Sequence, residues 1–230
     1  MIKLFHFPIC PFSRRVRITL SELNIQFTMV NENIWDKRRE FLAVNPAGSL
    51  PVMIDDQHNA IVSSYAIIEF IQEKFEINYH QNKLDFGDIY EQAEIRRLVD
   101  WFDNKFYTEV TRVILKELVD KYYIKNNTNT TSPNMELIRI AQDNLHYHLD
   151  YLTHLINSRK WIGGDFFSQA DIAASAHLSC LDFLSKLQWD VCPVVKNWYS
   201  RIKSRPSFSG ILSDSVAGFY PPSHYPNPDF

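Results

Sequence analysis

Cys10-Pro11-Phe12-Ser13 is the stretch of this 230-residue chain whose residue types and order point most directly to chemistry. It follows the apolar run Ile2 to Phe7 and precedes the helically spaced Val16, Leu20 and Leu23. The Cys10 sulfur is therefore expected at the positive end of a helix, where a thiolate is favoured. Arg14, Arg15 and Arg17 come next, and their charge is expected to lower the thiol pKa further. Ser13 stands where a Cys-x-x-Cys pair has its second cysteine, so any redox step would run through one thiol, with Cys10 and Ser13 as the candidate catalytic residues. A cysteine in such a turn serves equally well as a small apolar filler.

The elements that must hold this turn are legible in outline. Gln26 to Val30 favours β structure, Asn45-Pro46-Ala47-Gly48 is a turn cluster, and Pro51 to Ile54 and Ala60 to Val62 read as a hairpin. Ser64 is expected to open a helix and cap it ahead of Ala66, Ile67, Phe70 and Ile71. Strand signals then stop. Leu98, Phe102, Phe106, Val110, Ile114 and Leu118 recur every four residues as one long helix, Met135 to about Ile156 is its return, and Ser168 with Asp171 makes a capping box. The last helix ends before Pro206. The expected organisation is an α/β domain over 1–78, a linker over 79–87, an all-α domain over 88–215 and a Pro- and aromatic-rich extended tail over 216–230, which either packs on its own domain or meets a partner.

Composition narrows the function. Net charge is −3 with a sequence pI near 6.2, which speaks against nucleic acid. No apolar run approaches the roughly 18 residues of a membrane span, and no export signal is visible, so a cytoplasmic protein is expected and the sequons at Asn126 and Asn129 read as chance. Cys10, Cys180 and Cys192 form neither a disulfide framework nor a zinc motif, and the latter two are expected to be inert. His146, His148 and His177 lack ligand spacing, so no metal is expected. Trp101 and Trp161 are expected in the core or between domains, whereas Trp35, in Asn33-Ile34-Trp35-Asp36-Lys37-Arg38-Arg39, is either a partner anchor or a cap on the small domain.

Cys10-Pro11-x-Ser13, Asn45-Pro46-x-Gly48-x-Leu50-Pro51, Ser64-x-Ala66-Ile67 and Ser168-x-Ala170-Asp171, in this order, resemble the glutathione S-transferase superfamily over the whole chain. The resemblance implies a thioredoxin-like domain with a mixed four-stranded sheet and a cis Leu50-Pro51 bond, a helical second domain, and a homodimer. It implies that Cys10 acts on glutathione, that the backbone at Leu50 and Pro51 pairs with its cysteinyl part, and that Ser64, with Ser63 before it, receives its γ-glutamyl end at a helix N-terminus. Two positions depart from the pattern: Ser49 stands where many relatives carry lysine, and Ser63 where they carry Glu or Gln. Each charge-assisted bond is worth roughly 1.5–3 kcal/mol, so losing two weakens glutathione binding by a factor of about 100 or more.

Further segments are similar to the FzlA-like branch of that superfamily, alphaproteobacterial cell-division proteins that bind FtsZ. They are Arg97 to Asp103, Asn144 to Leu149, Ala176 to Ser179, Lys203 to Phe208, and the ending Asp229-Phe230. That branch implies a non-catalytic or weakly catalytic protein binding FtsZ through its surface and tail; the candidate partner contacts in this chain are Trp35, Tyr225, Asp229 and Phe230. The alternative is a glutathione-dependent transferase, exchanging thiols or conjugating, that uses Cys10.

Overall fold

The computed structural model describes residues 1–75, 84, 87–125 and 132–229. Phe230, both sequons and nearly all of the expected 79–87 linker lie outside them. The N-terminal unit runs β1 (Ile2–His6), α1 (Pro11–Glu22), β2 (Phe27–Asn31), α2 (Arg39–Val44), β3 (Val52–Ile54), β4 (Ala60–Val62) and α3 (Ser64–Lys74). Its sheet has the order β2-β1-β3-β4, with β1 parallel to β2 and antiparallel to β3, and β3 antiparallel to β4. Alternation puts Ile2 and Leu4 on the sheet face that packs on Val16, Leu20, Ile67 and Ile71 of α1 and α3. Helical spacing is absent from α2, because Phe41 is its one buried residue.

The rest is helical: α4 (Ile89–Asp100), α5 (Arg112–Leu115), α6 (Lys121–Lys125), α7 (Met135–Ser158), α8 (Gln169–Phe183), α9 (Pro193–Lys203) and α10 (Ser209–Leu212). The long helix expected around Leu98 to Leu118 is continuous from Ile89 to Lys125, but it winds more loosely than an α-helix over Trp101–Thr111 and Lys116–Asp120. There the Arg112 amide bonds back five residues to Tyr107 and the Lys121 amide to Lys116, the π-helical pattern. All fifteen residues of α8 are buried, which makes it the axis of this half. The expected capping box opens it: Ser168 Oγ accepts from the Ala170 amide, and Asp171 accepts from the Ser168 amide at 3.1 Å. Asp171 also accepts from the Ile162 amide and from Trp198 Nε1 at 3.0 Å, so one carboxylate ties three segments together.

The tail folds back over its own domain. Val216 and Phe219 form a short bridge, Tyr123 Oη donates to the Ala217 carbonyl, and Gly218 (φ +83°) lies against the Tyr122 ring where a Cβ would collide. Tyr225 is fully buried, edge-on to Phe183, with its hydroxyl donating to the Ile211 carbonyl.

Candidate functional site

Cys10 caps the N-terminus of α1: its carbonyl accepts from Arg14 N, and its own amide bonds to Phe7 O at 3.0 Å. The expected low pKa is not found. Burial pushes the Cys10 thiol up and outweighs the opposing pulls of the Ser13 side chain, the Ser13 and Phe12 amides and the Arg14 charge. Ser13 is itself fully buried behind the turn.

The three arginines explain the weak electrostatic help, because each is turned to the helical domain and spent there. Arg14 donates to the Pro8 carbonyl at 2.7 Å and to Ser179 Oγ at 2.9 Å, and its guanidinium lies over the Phe183 ring. Arg15 pairs with Asp103. Arg17 grips Asp214 with two bonds of 2.7 and 2.8 Å and donates to the Gly210 carbonyl. All three are buried, which requires such partners.

Across the turn, the Leu50–Pro51 peptide is cis, and no hydrogen bond among the described residues uses the Leu50 amide or carbonyl. Exposed Ser49 and the turn before it are held by Asn45, whose side-chain amide donates to the Ser49 carbonyl at 2.8 Å. The cap of α3 is Ser63, not Ser64 as expected: Ser63 Oγ accepts from the Ala66 amide at 3.3 Å, and buried Ser64 is the first helical residue. Ser63 is held at φ +80°, a conformation that costs a non-glycine residue about 1–3 kcal/mol and collects at functional sites. Cys10, Leu50-Pro51 and Ser63-Ser64 thus lie at the ends of elements of one sheet and its helices, and Ser49 and Ser63 add no charge there.

Trp35 is half-buried, stacked on Tyr123 at 4.6 Å and 5° and edge-on to Phe7 at 5.0 Å. Tyr123 meets Tyr122, and Tyr122 meets Phe219, so an aromatic strip crosses from the small domain over the long helix to the tail. Cys10 packs at the edge of the same cluster. Nothing in the sequence marked Tyr122 and Tyr123, since an aromatic pair on a helix reads as core. Of the expected partner contacts in the tail, Asp229 is exposed, Tyr225 is an internal anchor, and Phe230 falls outside the described residues; the outward aromatic is Tyr220, 91% exposed.

A cleft of about 540 Å³ separates α1 and α3 from the long helix, lined among others by Phe12, Tyr65, Arg96 and Tyr107, with Arg15 and Asp103 in its wall. Behind it His177 Nδ1 contacts Thr111 Oγ1 at 3.0 Å and its Nε2 faces Asp103 at 3.4 Å. His148 receives the Trp101 indole proton on Nδ1, which leaves Nε2 to donate to Glu109 at 3.0 Å. Trp161 packs in the core and Trp101 is half-buried over Tyr151. Burial raises the Cys180 and Cys192 thiols to about 12 and 11. Among the described residues no group of three His, Cys, Asp or Glu side chains is placed to hold a metal, and no helix is long and apolar enough to cross a membrane.

Two family models match the chain, the glutathione S-transferase N-terminal domain over residues 4–82 and the glutathione S-transferase C-terminal domain over 115–212. FtsZ-localized protein A of Caulobacter vibrioides is 36% identical over 230 residues, covering 99% of this chain and 97% of its own. A crystal structure of a glutathione S-transferase from Sinorhizobium meliloti superposes with a TM-score of 0.94 at 40% identity, covering 100% of both chains. The structure of FzlA from C. crescentus gives 0.92 at 36% identity, covering 100% of this chain and 99% of that one. With both halves matched and the fold shared end to end, the chain belongs to the glutathione S-transferase family.

Proposed function

We propose that this protein works chiefly by binding FtsZ, as a cytoplasmic homodimer, with little or no catalysis of its own. The observation that carries this reading is end-to-end similarity to FtsZ-localized protein A, 36% identity over 99% of the chain, which includes the tail. The site supports it from the other side. Backbone at Leu50 and the α3 N-terminus suit a glutathione-like peptide, but Ser49 and Ser63 bring no charged partner, and burial holds the Cys10 thiol protonated. The exposed part of the aromatic strip, Tyr122, together with Tyr220 and Asp229, offers a partner surface on the face that carries the tail. Aromatic side chains are favoured anchors at such interfaces. Co-sedimentation with polymerised FtsZ tests this: the intact protein should pellet with filaments, and a Tyr220→Ala, Asp229→Lys double variant should pellet markedly less. Absence of the intact protein from the pellet would overturn the reading.

A second reading, a glutathione-dependent transferase using Cys10, keeps the support of the strained Ser63 backbone at the α3 N-terminus. Calorimetric titration with millimolar glutathione decides it. Binding that weakens in Cys10→Ser or Ser64→Ala favours the enzyme, and no heat favours the FtsZ reading.

A further inference from the structure

The turn that presents Cys10 and the C-terminal tail share one buried side chain. Arg14 Nε donates to the Pro8 carbonyl at 2.7 Å, and Cys180 Sγ donates to the next carbonyl, Ile9, at 3.2 Å. Both peptide units before Cys10 are thus held by groups packed at the α1–α8 seam. The same Arg14 guanidinium lies 5.7 Å from the Phe183 ring centroid, 2.9 Å from Ser179 Oγ and 3.8 Å from Asp214, just ahead of the tail. On Phe183 sits Tyr225, edge-on at 5.3 Å, the one fully buried aromatic among the described residues of the tail. Arg14 has no exposed surface and cannot follow one set of contacts without disturbing the other.

We propose that Arg14 couples the Cys10 turn to the tail, so that S-thiolation of Cys10 loosens the docked tail and thereby alters partner binding. The consequence for the partner rests on the FtsZ reading above; the coupling itself does not. In the modifying step the Cys10 sulfur attacks one sulfur of a low-molecular-weight disulfide. A new S–S bond forms to Cys10, the second thiolate leaves, and the Cys10 proton passes to solvent or to that thiolate. The added group enters the crowded cluster of Phe7, Trp35 and Tyr123, and the turn must give way. Arg14 is a positioning residue, since it acts through the backbone carbonyls of others.

Both ends lean on the same buried side chain, so loosening either should be felt at the other, and the test is two-sided. The first arm follows the reaction of Cys10 with an aromatic disulfide that releases a coloured thiolate, with the site confirmed by mass spectrometry. Tyr225→Ala should raise the Cys10 rate at least about fivefold, while Tyr225→Phe, which keeps the ring on Phe183, should leave it within about twofold. The second arm compares amide exchange over residues 216–229 before and after Cys10 is thiolated; exchange should quicken by a similar factor. A tail that exchanges faster in Tyr225→Ala while Cys10 reacts at its original rate overturns the coupling. Filament co-sedimentation of modified and unmodified protein separates the two readings. Coupling without any binding of the unmodified protein overturns only the FtsZ reading. Equal binding of both forms overturns the proposed effect on the partner.

Discussion

The seam between the two domains, built on α1, and the edge that carries Ser49 and Ser63, at the starts of β3 and α3, treat charge in opposite ways. Along the seam, Arg14, Arg15 and Arg17 are buried and matched by Asp103, Asp214 and backbone carbonyls. At the other edge, Ser49 and Ser63 are exposed and neutral. The contrast shows where positive charge near a cysteine is put to use: here it fixes the angle between domains and leaves the thiol little helped.

The largest way to break this contrast is Asp214→Ala, which strips the shared acid from Arg14 and Arg17. Breaking a buried pair costs about 3–5 kcal/mol, and urea unfolding should register it as a fall in midpoint with the m-value kept. A loss below about 1 kcal/mol would mean that the seam is carried by apolar packing alone. Next comes adding charge at the edge that carries Ser49 and Ser63. Ser49→Lys combined with Ser63→Glu should strengthen glutathione binding by about 100-fold in calorimetry, at a cost of about 1 kcal/mol for the lost Ala66 cap. Unchanged affinity would show that charge at these two positions does not set the affinity for glutathione here.

A smaller effect comes from acid. Burial pushes the Asp103 carboxyl up, but Arg15 and His177 overcome it and hold the group below its ordinary value. A depressed folded pKa stabilises fully above the unfolded value near 4 and is lost as pH falls through the folded value. Thermal melts should therefore decline below about pH 4, and Asp103→Asn should flatten that limb. The smallest effect is Arg139→Ala, which removes a fully solvated pair with Asp143 and should cost no more than about 0.5 kcal/mol in the same urea assay.

Much of the fold could be read from the chain because local patterns agree with the tertiary result. Alternation in Ile2–His6, the Pro51 strand start and the Ser168 and Asp171 pair each describe contacts within a few residues. What escaped depends on distant partners. The fate of Arg17 is set by Asp214, 197 positions away, so no local reading could separate a seam arginine from one that activates a thiol. The cap of α3 was misplaced by one residue because Ser63 and Ser64 are chemically identical and only the backbone at φ +80° tells them apart. In the tail, Tyr220 and Tyr225 look alike in sequence, and only the pocket beside Phe183 makes one an anchor and the other an outward ring.

The loosely wound stretches of the long helix turn its length into a ruler. In an α-helix four residues overshoot a full turn by roughly 40°, and in a π-helix, at roughly 4.4 residues per turn, they fall short by a similar angle. Alternating the two lets Leu98, Phe102, Phe106, Val110 and Ile114, all fully buried, run as a straight stripe without coiling away from α8. Winding of this kind counts residues. Deleting one between Trp101 and Thr111, where each residue of the π-helix turns the chain by roughly 80°, would swing everything beyond by that angle and draw it back along the axis by one residue's rise. Tyr122 and Tyr123 would leave Phe219 and Trp35 together, and two domains and a tail would lose their common alignment through the absence of a single peptide unit.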